Sequence, residues 1–126
     1  MSRGRGERGR GERGSGTLLM AGIMGVVVTL GAMAMLVAGY VVGFHRARAA
    51  ADLAALSGAA AFSVGGDACA EARRTAKLNG ARVTRCGQVG DDIDFVVTVR
   101  AVVDVRSLLP GLPKEVAAEA YAGRIS

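Results

Sequence analysis

The chain has no tryptophan, one histidine, two prolines, two tyrosines and three phenylalanines. Hydrophobic residues still make up 51% of it, while aromatics make up only 4%. The apolar content therefore rests on Ala, Val, Leu and Gly, and much of it lies in one block. A water-soluble core of ordinary composition uses larger side chains. This distribution points to a membrane span followed by a small, thinly packed domain. The scarcity of histidine and cysteine also excludes chemistry. His45 has no neighbouring ligand or base at a useful spacing, and Cys69 and Cys86 lack the C-x-x-C or Cys/His spacing of a metal centre. Ser15 and Ser63 have no general base in any motif, and the glycine-rich start precedes an apolar helix, not the strand–helix cradle of a phosphate site. Asp91, Asp92 and Asp94 cluster at a turn, but no EF-hand pattern surrounds them. The reading is a non-enzyme, with no cofactor, no metal and no small-molecule substrate.

Acidic and basic residues are both absent from residues 17–44. As a helix at ~1.5 Å per residue that run is roughly 42 Å long, against a hydrocarbon core of about 30 Å. It is expected to be a transmembrane helix. A removable signal peptide has an apolar region of only about 7–15 residues. Ala47-Arg-Ala49 carries the small-x-small pattern of a cleavage site, so release by cleavage near Ala49 is the secreted alternative.

The net charge is +5. Its excess sits in residues 1–16, where Arg3, Arg5, Arg8, Arg10 and Arg13 face only Glu7 and Glu12. The segment Arg5-Gly-Glu-Arg-Gly9 repeats at once as Arg10-Gly-Glu-Arg-Gly14. Such low complexity predicts a disordered tail. It is short, carries glutamates and lacks interleaved aromatics, so no nucleic acid is expected as partner. Its arginines are a topology signal. The positive-inside rule places residues 1–16 in the cytoplasm and the C-terminal part outside the cytoplasmic membrane.

Within the span, Gly39 and Gly43 form a G-x-x-x-G pair, and Ala21 and Gly25 repeat the spacing. Small residues at this interval let helices approach closely, so these four are the candidate helix-packing positions. Residues 45–62 are rich in alanine and leucine and continue the helix beyond the membrane. Leu53, Leu56 and Ala60 share one face, expected to be covered by the domain or by a neighbouring subunit. Arg48 and Asp52 are four apart on another.

Residues 63–126 read as a small α+β domain. Ser63-Val-Gly-Gly66 breaks the helix, Asp67 is a candidate N-cap with Glu71 in the first turn, and Asn79-Gly80 is a stop. Residues 81–89 form an expected strand. After a turn at Gly90-Asp91-Asp92, the residues Ile93, Phe95, Val97, Val99, Ala101, Val103 and Val105 alternate with a more polar set, the period of a half-buried strand. Leu108-Leu-Pro-Gly-Leu-Pro113 is a loop with exposed leucines. Residues 114–125 fit a strand or a helix; a third strand is preferred because two alone are barely stable. On the exported side Cys69 and Cys86 are expected to form a disulfide, closing a loop of ~17 residues and contributing roughly 3 kcal/mol.

Glu12-Arg-Gly-Ser-Gly-Thr17 leads into the apolar helix, which runs out through Ala47-Arg-Ala-Ala-Ala-Asp-Leu-Ala-Ala-Leu-Ser-Gly-Ala59. A cysteine-bearing helix, an Asn-Gly stop, a second cysteine and valine-rich strands follow. This order resembles the TadE/TadG-like proteins of Flp-type (tight adherence) pilus loci, in their short actinobacterial form. Ala50, Ala51, Asp52, Leu53, Ala54, Ala55 and Leu56 carry the most specific part of the likeness. The resemblance implies a non-catalytic, pilin-like or accessory component of a type IV-related pilus or secretion system. Its expected partners are the lipid membrane and other pilus or secretion membrane proteins, met through small-residue helix packing. Pilin-like members have a glutamate a few residues into the apolar helix; residues 17–44 have none, which favours an accessory role. The alternative from another class is a single-pass protein whose exported domain senses a ligand or partner.

Overall fold

A computed structural model describes residues 11–106 and 109–126, with the backbone alone for residues 11–13. The element order is α1 (Gly11–Ser63), α2 (Ala68–Leu78), β1 (Arg82–Gly90), β2 (Phe95–Asp104) and β3 (Glu115–Arg124). The fold is α+β, as the sequence implies. The chain divides into two compact units, residues 1–37 and residues 38–126.

In the first unit, α1 starts at Gly11, inside the segment expected to be disordered. Glycine costs a helix about 1 kcal/mol relative to alanine, but Leu18 onward propagates the helix and the preceding turns add to an existing nucleus. Leu18, Leu19, Ile23, Val26 and Leu30 all point outward and are exposed. Thr29 donates its hydroxyl to the carbonyl of Gly25 at 2.8 Å, so the one polar side chain of this stretch beyond Thr17 is satisfied within its own helix.

The second unit begins at Ala38, seven residues before the expected boundary of the exported part. The reason is packing: the last turns of α1 supply five buried alanines of its core. Ala47, Ala50, Ala51, Ala54 and Ala55 are buried with Ala68, Ala72 and Ala76 of α2 and with Phe95, Val97, Val99, Ala101, Val103, Ala118 and Ala120 of the sheet. Val97 and Val99 are the largest fully buried side chains. Each stabilises the unit by about 1.5–3 kcal/mol through burial.

The sheet is antiparallel with order β1-β2-β3. In its register Val97 faces Ala122, Val99 faces Ala120 and Ala101 faces Ala118, so valines and alanines from neighbouring strands share the inner face. Val83 and Cys86 are three residues apart, and a regular strand would put them on opposite faces. The register shift between Val83 and Arg85 inserts one extra residue, Thr84, and both side chains reach the core. Ile93, expected on the same face as Phe95, lies in the turn and is exposed. There Asp91 accepts from the amides of Ile93 and Asp94 at 2.9 Å, a side-chain turn that ends the alternation.

Asp67 caps α2, accepting from the amides of Cys69 and Ala70 at 3.0 Å. Glu71 lies in the first turn of α2 and Lys77 in its last, each suited to the helix dipole at its end. Gly80 takes φ +71° after Asn79, the left-handed step that closes a helix. Cys69 and Cys86 are bonded, with their Cα atoms 5.8 Å apart, tying α2 to β1.

Candidate functional site

The positions singled out by sequence lie on α1. Ala21 and Gly25, in the first unit, are exposed. In the second unit Gly39 is open: a Cβ there would meet nothing within 4 Å. Gly43 is different. A Cβ on it would lie 2.7 Å from Val105 Cγ2 and 3.5 Å from Val116 Cγ2. Its missing side chain admits the protein's own sheet, not another helix. Of the four candidate helix-packing positions, Gly43 is thus taken up by the chain's own domain, while Gly39, Ala21 and Gly25 stay open.

A second close approach, which the sequence reading did not single out, is at Gly58. Its Cβ would sit 2.8 Å from the carbonyl oxygen of Ala68, 3.3 Å from Val97 Cγ1 and 3.4 Å from the Ala72 Cβ. Here α1 meets both α2 and β2. Phe62 then packs edge-on to Phe95 with ring centroids 4.7 Å apart. From Gly43 at Val105 to Phe62 at Phe95, α1 runs antiparallel to β2.

The alanine-rich family motif divides between the two sides of this helix. Ala50, Ala51, Ala54 and Ala55 are buried against the sheet. Asp52 points outward and pairs with Arg48 at 3.5 Å. Leu53 and Leu56 are 47% and 61% exposed. The expectation placed the leucine face as the one the domain might cover; the chain's own domain covers the alanine face. Phe95, Val97 and Val99 already fill the space between helix and sheet, and only small residues opposite them permit close approach.

Of the topology signal, Arg3, Arg5, Arg8 and Arg10 lie outside the described residues, as does the side chain of Arg13. His45 is exposed, with its ring centroid 6.4 Å from that of Phe44. Among the described residues no group of three or more His, Cys, Asp or Glu side chains is placed to hold a metal ion. The acidic turn is committed to its own backbone. Asp91 is held below the usual carboxylate range by the Asp94 and Ile93 amides. Asp94 is lowered by the hydroxyl and the amide of Ser126, which donate to it at 2.7 and 2.9 Å. Across the sheet, Arg82 reaches Asp104 at 3.3 Å and Glu115 at 2.6 Å, and these two carboxylates raise its pKa, Glu115 most. Tyr121 donates to Glu119 at 2.9 Å and its pKa is raised by that carboxylate. A recess of about 270 Å³ is lined by Arg46, Ala49, Ala50, Asn79, Gly80 and Val103.

Two surfaces remain as functional candidates. One is the leucine face of α1. The other is the helix upstream: α1 is the one helix among the described residues long and apolar enough to cross a membrane. No family model, curated protein or solved structure matches the chain. Function must therefore be argued from the helix, the domain built on it and the surfaces left outside.

A final contact belongs to the second unit alone. Tyr40 donates its hydroxyl to the carbonyl of Pro113 at 2.7 Å, and the Val105 amide donates to the Lys114 carbonyl at 2.7 Å. The loop of residues 109–113 is thus tied at its neck by two bonds, to the adjacent residues Pro113 and Lys114. Nothing in the sequence pattern links a tyrosine of the apolar run to a proline 73 residues later.

Proposed function

We propose that the protein is a non-catalytic, membrane-anchored component of a larger surface assembly, related to the TadE/TadG-like proteins of Flp-type pilus or secretion systems. Residues 17–44 cross the cytoplasmic membrane, the arginine-rich tail stays in the cytoplasm, and the disulfide-linked domain is displayed outside. One observation carries the reading. Ala50, Ala51, Ala54 and Ala55 of the family-like motif are buried in the domain core, so the C-terminal part of α1 and the domain are one compact unit from Ala38 onward. A module fused to its membrane helix over five turns transmits position, as an assembly part must. Leu53 and Leu56, on the opposite side of that helix, offer partners an apolar contact.

The same core speaks against release near Ala49. A cut there would remove Ala47 from the core and Gly43 from its contact with Val105. Protease added to spheroplasts, followed by N-terminal sequencing of the membrane fraction, tests the anchor and its orientation. Digestion of the C-terminal part with an intact N-terminal part supports it; a soluble, shortened product overturns it. Deletion of the gene with a count of surface filaments, and crosslinking from Leu53, test the assembly role. A strain whose filaments and secretion are unaltered, with no crosslinked membrane partner, removes it.

A further inference from the structure

Residues 17–44 form an uncharged run of roughly 42 Å as a helix, about 12 Å more than a hydrocarbon core needs. The surplus equals about eight residues, and the second unit starts at Ala38. Residues 38–44 are thus where the compact unit and the end of the uncharged run overlap. The 109–113 loop is fixed at this level. Tyr40 holds Pro113, and Gly43 admits Val105 and Val116 from either side of the loop's neck. Tyr40 lies about 9 Å along the axis below Arg46, the first cation after the run.

The loop has the chemistry of a shallow lipid contact. Leu109 is 50% exposed and Leu112 is half-buried, with Pro110 and Pro113 beside them. Arg106 and Lys114, on the two sides of the loop in the chain, are exposed, and neither is in an ion pair among the described residues. The two nearby carboxylates, Asp104 and Glu115, are both engaged by Arg82. What remains at this end is a small apolar tip flanked in the chain by two unpaired cations. Tyrosine at the interface, leucines in the acyl boundary and cations on phosphates are the elements of interfacial binding.

We propose that residues 109–113 are a lipid-contacting element, with Leu109 and Leu112 entering the headgroup–acyl boundary and Arg106 and Lys114 meeting lipid phosphates. This rests on the reading that residues 17–44 cross a bilayer. It adds that the domain touches the leaflet surface through a second, separate segment of chain.

The lack of tryptophan makes the test background-free. Full-length Leu109→Trp, Leu112→Trp, Leu30→Trp and Val64→Trp are each reconstituted into phosphatidylcholine–phosphatidylglycerol vesicles. Val64 is 84% exposed and ~36 Å along α1 from Tyr40. Emission wavelength, quenching by lipids brominated near the acyl carbonyls or near the chain ends, and quenching by aqueous iodide are recorded. Leu109→Trp and Leu112→Trp are expected to shift to the blue and to be quenched most by the shallow bromines. Leu30→Trp is quenched by the deep ones, and Val64→Trp by iodide alone. If Leu30→Trp is quenched by lipid while both loop variants behave like Val64→Trp, the lipid-contacting loop is refuted and the anchor stands. If Leu30→Trp is not quenched by lipid, the anchor and the loop proposal fall together.

Discussion

Replacing Gly58 by alanine sets two effects of opposite sign against each other. In an open helical position the change stabilises by about 1 kcal/mol, because glycine has more backbone freedom to lose. At Gly58 the new methyl would meet the Ala68 carbonyl oxygen at 2.8 Å and Val97 Cγ1 at 3.3 Å. The valine can move by a few tenths of an ångström; the carbonyl belongs to the first residue of α2 and moves only with that helix, which the disulfide ties to β1. Overpacking of this kind costs about 1–3 kcal/mol. The difference predicts a net loss near 1 kcal/mol, roughly a fivefold larger open population. Amide hydrogen exchange at Val97 and Val99 in the micelle-bound protein reads it, since these central-strand amides exchange through the largest openings. Ser57→Ala, one residue away and only half-buried, is the control and should leave exchange nearly unchanged. Slower exchange in Gly58→Ala than in the parent would refute the close approach on which the packing argument rests.

Four further outcomes follow from the same structure. Reduction of the Cys69–Cys86 bond, or its replacement by two serines, should cost about 3 kcal/mol, the closure entropy of a loop of this length, measurable by urea titration in micelles. Leu53→Ala and Leu56→Ala should each change stability by less than about 0.5 kcal/mol, whereas Ala54→Leu, on the buried side, should lose about 1–3 kcal/mol; thermal melts separate the two sides. Asp91 and Asp94 have folded pKa values below the unfolded ones, so their contribution is complete above the ordinary carboxylate range and disappears as pH falls through the lowered values. Protection factors at the β2–β3 end near Phe95 and Arg124, measured against the intrinsic exchange rate at each pH, should therefore fall on acidification, with a flatter profile in Asp94→Asn. Arg82→Ala should have little effect on unfolding in high salt, because its ion pairs with Asp104 and Glu115 are exposed and screened.

Much of the architecture was legible because local signals agreed with one another. The alternation from Phe95 to Val103 set the inner face of β2, and the Asp67 and Asn79-Gly80 signals set both ends of α2. The disulfide followed from two cysteines beyond an apolar run. Residues 114–125 were ambiguous locally, since Glu and Ala favour a helix; pairing with β2 made them a strand. The faces of α1 were not legible, because hydrophobicity ranks leucine above alanine while close packing against a valine-rich sheet ranks them the other way. The partner of Gly43, which the spacing marked for another helix, and the close approach at Gly58 were hidden for a related reason. In a glycine-rich chain nothing local distinguishes a residue that is small because a neighbour is near from one that is small by composition. The Thr84 bulge and the Tyr40–Pro113 bond depend on partners distant in the chain, beyond the reach of periodicity.

The two close approaches on α1 have a mechanical consequence. Alanines present a nearly smooth surface, and a smooth helix resting on a sheet has little to stop it sliding along its axis. Gly43 and Gly58 are notches about 22 Å apart that receive Val105 at one end and the start of α2 at the other. A slip of one turn would put Ala47 or Gly39 where Gly43 sits and Phe62 or Ala54 where Gly58 sits, so in either direction a side chain would meet the Ala68 carbonyl. The pair thus acts as a key and keyway, fixing the axial position of residues 43–58 of α1 against the sheet and α2.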